Sequence, residues 1–127
     1  METRTLDRLS AAIEAATGVA LIAAPDLVAR VLLGTGLSDS GIAVGRLTGI
    51  ALLSLGLACW PGGHDASKPA TRALFTYNLL AALYLAYLRL GGGFNGILLW
   101  PAVALHGLLA LGLAGPACES FRAGGPA

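Results

Sequence analysis

Four side chains that can carry a charge or a hydrogen bond lie inside long apolar stretches of the sequence: Glu14, Arg46, Asn78 and His106. Ionisable groups at membrane depth are costly and commonly mark ligand sites, proton relays or ion paths. With Tyr77 as a further hydrogen-bond donor, they could form a central site for a proton, an anionic head group or a quinone-like ligand. The sequence therefore raises a ligand-binding or transport hypothesis for this polar cluster.

The same residues also fit a purely structural role. Glu14 and Arg46 would neutralise each other as an ion pair and fix the register of two helices. Asn78 and His106 would then hydrogen-bond a neighbouring backbone, a kind of interhelical contact that contributes about 0.6 to 2 kcal/mol. The residue types alone leave both interpretations open.

Other chemistry finds no support in the sequence. It contains no Ser-His-Asp order, HExxH, phosphate loop or GxGxxG, so we predict no catalytic residue. Cys59 and Cys118 have no metal-type spacing, and we predict no metal site. A haem held by two histidines is disfavoured because His64 lies in a polar loop, away from His106. We predict no resident cofactor, and quinone enters only as a ligand of the polar cluster.

The elements that must position the cluster are helices of membrane-spanning length. A bilayer-crossing helix needs about 20 apolar residues at a rise of about 1.5 Å each. Pro25 and Gly34 bound a shorter amphipathic stretch, which predicts an interfacial helix at about 25–33. The sequence thus predicts an all-α fold, an integral membrane four-helix bundle forming a single domain over 1–127. The predicted spans are about 9–24, 41–60, 70–88 and 97–114.

Composition agrees with a membrane protein. The 127 residues are 56% hydrophobic and 12% charged, whereas about a quarter of the residues of soluble domains are charged. The net charge of +1, with no run of basic residues, argues against a nucleic-acid partner. The expected partners are membrane lipid and other membrane protein subunits or a second copy of the chain.

A ladder of glycines marks the second span. Gly41, Gly45 and Gly49 recur every fourth residue and therefore share one helix face. Small residues on such a face let two helix backbones approach closely. We predict a helix-packing seam here, either within the bundle or between two copies.

The distribution of basic residues predicts the orientation. Four spans place both termini on one side of the membrane, and the basic residues divide five against three in favour of that side. The excess predicts cytoplasmic termini. The basic residues of the terminal side are Arg4, Arg8, Lys68, Arg72 and Arg122, and those of the other side are Arg30, Arg46 and Arg89.

The chain resembles the small bacterial four-helix membrane proteins grouped as DoxX-like. The resemblance lies in the four spans, in the proline and short helix of APDLVARVLLG, and in the arginine, small residues and Leu-Gly of GRLTGIALLSLGLA. It implies a bacterial inner-membrane protein, sometimes an accessory subunit of a quinone-linked redox system. Only Arg46 matches a family position, so no catalytic residue is carried over.

The first functional prediction is therefore a small polytopic inner-membrane protein that acts as a non-catalytic accessory or assembly subunit, or as a homo-oligomer. The alternative is a module that binds or transports a lipid-like or quinone-like small molecule through the polar cluster.

Overall fold

A computed structural model describes residues 2–62 and 68–123 of the chain, and all regular structure in these two ranges is helical. His64 and part of the predicted polar loop lie outside the described residues. The predicted all-α class is confirmed for the described part of the chain. The helices are α1 (Thr3–Ala23), α2 (Pro25–Leu33), α3 (Asp39–Ala58), α4 (Lys68–Leu90) and α5 (Leu99–Ala123).

A sharp bend separates α1 from α2. The axes of the two helices differ in direction by 116°. Pro25 occupies the first turn of α2, where its missing N–H is not needed, and Gly34 ends α2 with a left-handed φ of 80°. The chain then enters α3, where the Ser38 hydroxyl accepts a hydrogen bond from the Gly41 N–H at 3.2 Å.

The bundle consists of two closely packed helix pairs, α1 with α3 and α4 with α5. The pairs meet where α1 lies against α4 and α5. Asp7 of α1 accepts a hydrogen bond from Thr71 of α4, and Ser120 of α5 donates one to the Lys68 carbonyl. The start of α1, the start of α4 and the end of α5 therefore share one end of the bundle, whereas α2 lies at the other.

Glycines make the contact between α1 and α3 close. A Cβ at Gly49 would lie 2.7 Å from the Gly18 carbonyl oxygen, and one at Gly56 would lie 2.6 Å from the Ala11 carbonyl oxygen. The backbones touch at these points, so no side chain fits between them. This seam lies within one chain.

The other two residues of the glycine ladder have different surroundings. A Cβ at Gly45 would lie 2.9 Å from the Pro25 ring, and one at Gly41 would approach Leu37, four residues earlier in the same chain. Of the three ladder glycines, Gly49 therefore lies on the α1–α3 seam, Gly45 faces the start of α2, and Gly41 lies at the N-terminus of α3.

The last helix runs further than its sequence predicts. The sequence places its end before Gly115 and Pro116, yet α5 continues through Pro116 to Ala123. The missing Pro116 N–H costs one backbone hydrogen bond. Tertiary contacts compensate: Ser120 bonds the start of α4, and the Arg72 guanidinium lies 5.4 Å from the centre of the Phe121 ring.

Within residues 2–62 and 68–123, three helices are long and apolar enough to cross a membrane: α3, α4 and α5. The bent pair α1 and α2 meets the same criterion of length and composition if it is taken as one span. Helix α1 carries Asp7, Arg8 and Glu14 within 21 residues, which lowers its apolar character. Many large apolar side chains on the outer faces are exposed, among them Leu83, Leu108 and Leu111.

Candidate functional site

A large apolar cavity lies between the two helix pairs. Its volume is about 770 Å³, within the range of about 300 to 1,000 Å³ typical of small-molecule sites. Helix α3 packs closely against neither α4 nor α5 in the described part of the chain, so the cavity is open on that side. Its lining includes Ala20, Leu52, Leu80, Ala81, Ala102 and Leu105.

Helix α2 covers the end of the cavity remote from the termini. Val28, Val31 and Leu32 of α2 line it there. The segment before α5 is fastened to α2 by backbone hydrogen bonds, from the Asn95 N–H to the Leu33 carbonyl at 3.2 Å and from the Leu98 N–H to the Val31 carbonyl at 2.9 Å. The chain therefore closes the cavity at this end with apolar side chains.

A polar cluster lies at and behind the opposite end of the cavity, and Asn78, which is behind the cavity wall, is its centre. The Asn78 side chain is fully buried. Its Nδ2 donates to the Ser10 hydroxyl at 2.7 Å and to the Leu74 carbonyl at 2.8 Å. Its Oδ1 lies 2.8 Å from Nδ1 of His106. One amide thus ties together α1, α4 and α5.

These contacts fix the hydrogen on the imidazole ring. The Leu74 carbonyl can only accept, so the Asn78 atom beside it must be the amide nitrogen, and Oδ1 must face His106. Oδ1 can only accept, so Nδ1 of His106 carries a hydrogen. The neutral ring then has its lone pair on Nε2. Since His106 lines the cavity, Nε2 is the nitrogen available to a ligand.

Glu14 lies directly behind this pair. Its side chain is 0% exposed, and its polar neighbours are the hydroxyl of Tyr77 and the imidazole of His106. Nδ1 of His106 lies 3.9 Å from Oε1 of Glu14. Burying a carboxyl group with so few polar neighbours is costly, and acids in such surroundings are concentrated at functional sites.

Tyr77 completes the polar end. Its ring meets the His106 ring edge to face, with the centroids 5.8 Å apart and the planes at 78°. Tyr77 and His106 both line the cavity, whereas Glu14 and Asn78 do not. The first two side chains can therefore touch a ligand, and the second two hold or polarise them.

Arg46 does not join the cluster. The ion pair expected between Arg46 and Glu14 is not formed: Glu14 is buried beside Tyr77 and His106, whereas Arg46 is exposed. The reason is its position on α3, two residues before Thr48, which lines the cavity. Residues two positions apart in an α-helix point in directions about 200° apart around the axis, so Arg46 faces away from the cavity.

Sequence reasoning missed Ser10 and the contact between Asp7 and Thr71. Asp7, Ser10 and Glu14 are all buried on one face of α1, at spacings of three and four residues. Thr71 and Asn78 are seven residues apart, on one face of α4. This matching periodicity of small polar residues could have revealed that α1 and α4 share a polar seam.

Comparison of the chain with protein-family models, with curated proteins and with solved structures finds no match. The resemblance to DoxX-like proteins stays a prediction.

Proposed function

We propose that this protein is an integral membrane protein that binds a lipid-soluble small molecule in the cavity between its two helix pairs. In this proposal α1, α3, α4 and α5 cross the bilayer and α2 lies at one interface. The length and apolar character of α3, α4 and α5 and their exposed leucines support the placement of these three helices, and that of α1 rests on the span predicted from the sequence. The five-to-three distribution of basic residues supports cytoplasmic termini, and we assign the protein to a bacterial inner membrane on the resemblance described above.

The observation that carries the proposal is the contrast between the two ends of one cavity. Apolar side chains line most of its 770 Å³, with single hydroxyls from Thr17, Thr48 and Tyr84, and His106 and Tyr77 lie together at one end. Small-molecule sites commonly combine an apolar wall with a few fixed polar groups. A molecule with a long apolar body and one polar head, of the lipid or quinone class, matches this arrangement.

The route to the cavity also favours a ligand dissolved in the bilayer. Helix α2 closes one end, and the open side lies between α3 and the α4–α5 pair. In the proposed placement this side faces lipid, so the ligand reaches the cavity without passing through water. The expectation of an accessory or assembly subunit, or of a homo-oligomer, rests on the sequence alone.

Native mass spectrometry of the protein purified in mild detergent tests the proposal. We expect the wild-type chain to retain a lipid-soluble small molecule in stoichiometric amount. Ala102→Phe places a ring in the cavity and should abolish retention, because Ala102 lines the cavity. Ala104→Phe is the matched control, since Ala104 is exposed on the same helix and lies outside the lining.

Two results would contradict the proposal. One is a wild-type protein that retains no small molecule and takes up none when apolar probes are added. The other is equal retention by the Ala102→Phe and Ala104→Phe variants, which would place the bound molecule on the outer surface.

A further inference from the structure

We infer that the ligand presents a hydrogen-bond donor, a hydroxyl group, to Nε2 of His106. This inference rests on the proposed function and names the chemical class of the head group. It favours a phenol, an alcohol or a hydroquinone over an ether, an ester or a quinone carbonyl.

The contacts of Asn78 allow its side-chain amide one orientation. Its Nδ2 is 2.8 Å from the Leu74 carbonyl oxygen, and two oxygens at that distance would repel each other. The second contact of Nδ2, at 2.7 Å to the Ser10 hydroxyl, uses its other hydrogen. Both amide hydrogens are thus assigned, and the amide cannot turn over without losing a bond to Leu74.

The orientation of Asn78 in turn orients His106. Only its Nδ1 reaches Asn78, and the acceptor there requires an N–H. The neutral ring has one hydrogen, so Nε2 is left with a lone pair. Tyr77 packs edge to face against the ring and restricts its rotation. The cavity wall therefore contains a hydrogen-bond acceptor, Nε2 of His106, whose position and protonation are fixed by the contacts of the ring with Asn78 and Tyr77.

The lone pair on Nε2 has an energetic consequence for a ligand. A head group without a donor would leave the Nε2 lone pair without a partner in an apolar cavity, even where its oxygen accepts from the neighbouring Tyr77 hydroxyl. A hydroxyl of the same size would supply the missing hydrogen. Sites built around one fixed hydrogen bond discriminate strongly against analogues that lack the partner group.

A matched pair of probes tests the inference: 4-dodecylphenol and 4-dodecylanisole. They share ring and chain, and differ in that a methyl ether replaces the hydroxyl. Each is titrated into the delipidated wild-type protein in detergent, and the bound fraction is measured by native mass spectrometry. We expect the phenol to bind at least about tenfold more tightly than the anisole. In His106→Phe the preference should vanish, while anisole binding persists and reports an intact cavity.

The outcomes separate the two proposals. Equal affinity of the wild-type protein for both probes, or tighter binding of the anisole, would overturn the hydroxyl assignment and leave the cavity as a ligand site. A phenol preference that survives in His106→Phe would also overturn it, because another group would then accept the hydrogen bond. Binding of neither probe would overturn the proposed function as well. Loss of the phenol preference in Ala102→Phe would confirm that the cavity holds the probe.

Discussion

Oδ1 of Asn78 and Nδ1 of His106 lie 2.8 Å apart, and this contact joins a buried interhelical network to the polar end of the cavity. On one side of it, Asn78 reaches Ser10 of α1 and the backbone of α4. On the other side, His106 lines the cavity. The fold and the candidate site therefore depend on the same amide.

Asn78→Ala should lower the free energy of unfolding. The change leaves the Ser10 hydroxyl and the His106 Nδ1–H without their partner in a buried place, and each lost contact of this kind costs about 1 to 3 kcal/mol. Thermal unfolding in detergent measures the effect. Thr76→Ala, at an exposed position two residues earlier on α4, is the control and should change little. Equal melting temperatures for the two variants would show that the network is not formed.

Glu14→Gln should keep or raise stability, because it removes a buried ionisable acid, adds almost no volume and keeps a side-chain oxygen that can accept from the Tyr77 hydroxyl. Arg46→Gln should have little effect, since Arg46 is exposed. The double variant should then show the sum of the single effects, as expected for residues that do not meet. Thermal unfolding of all four proteins checks this. Losses in both single variants with recovery in the double variant would instead establish an ion pair between Glu14 and Arg46.

Gly56→Ala should destabilise the bundle by about 1 to 3 kcal/mol, because the new methyl group would overlap the α1 backbone at Ala11. Gly107→Ala is the matched control. Gly107 is also helical, yet no atom lies within 4 Å of where its Cβ would be. The control should be neutral or slightly stabilising, since alanine favours helix over glycine. Similar melting temperatures for both alanine variants would refute the α1–α3 seam.

The connection between α2 and α3 should be sensitive to acid. The Arg30 guanidinium and the Leu37 N–H, both hydrogen-bonded to Asp26, hold the pKa of that carboxyl below its usual range. A lowered folded-state pKa contributes stability above the unfolded pKa of about 3.9, and this contribution is lost as the pH falls through the folded value. The stability difference between wild type and Asp26→Asn should therefore be larger at pH 6 than at pH 3. A difference independent of pH would contradict this role.

The helices were largely predictable from sequence because their signals are local. Long apolar runs, the Pro25 and Gly34 boundaries and the amphipathic stretch between them lie within single elements. The end of α5 was not predictable in this way. Pro116 predicts the end of a helix, and the contacts of α5 with α4 explain why the helix continues to Ala123.

The cluster was predictable only in part because facing directions depend on packing between helices. Glu14, Asn78 and His106 could be placed at one depth by counting residues, and the structure brings these three together. Counting residues does not predict how α3 is rotated about its own axis. This rotation is set by the contacts of Gly49 and Gly56 with α1, and it turns Arg46 away from the cavity.

The most direct measurement is ¹⁵N NMR of the imidazole in a His64→Asn variant, in which His106 is the remaining histidine. We predict a neutral ring with its hydrogen on Nδ1 and the lone pair on Nε2. Saturation with 4-dodecylphenol should shift the Nε2 resonance and leave Nδ1 nearly unchanged, and Ala102→Phe should prevent the shift. A hydrogen on Nε2 in the free protein, or an Nε2 resonance unchanged by saturating phenol, would contradict a ligand site in which Nε2 of His106 accepts a hydrogen bond from the ligand.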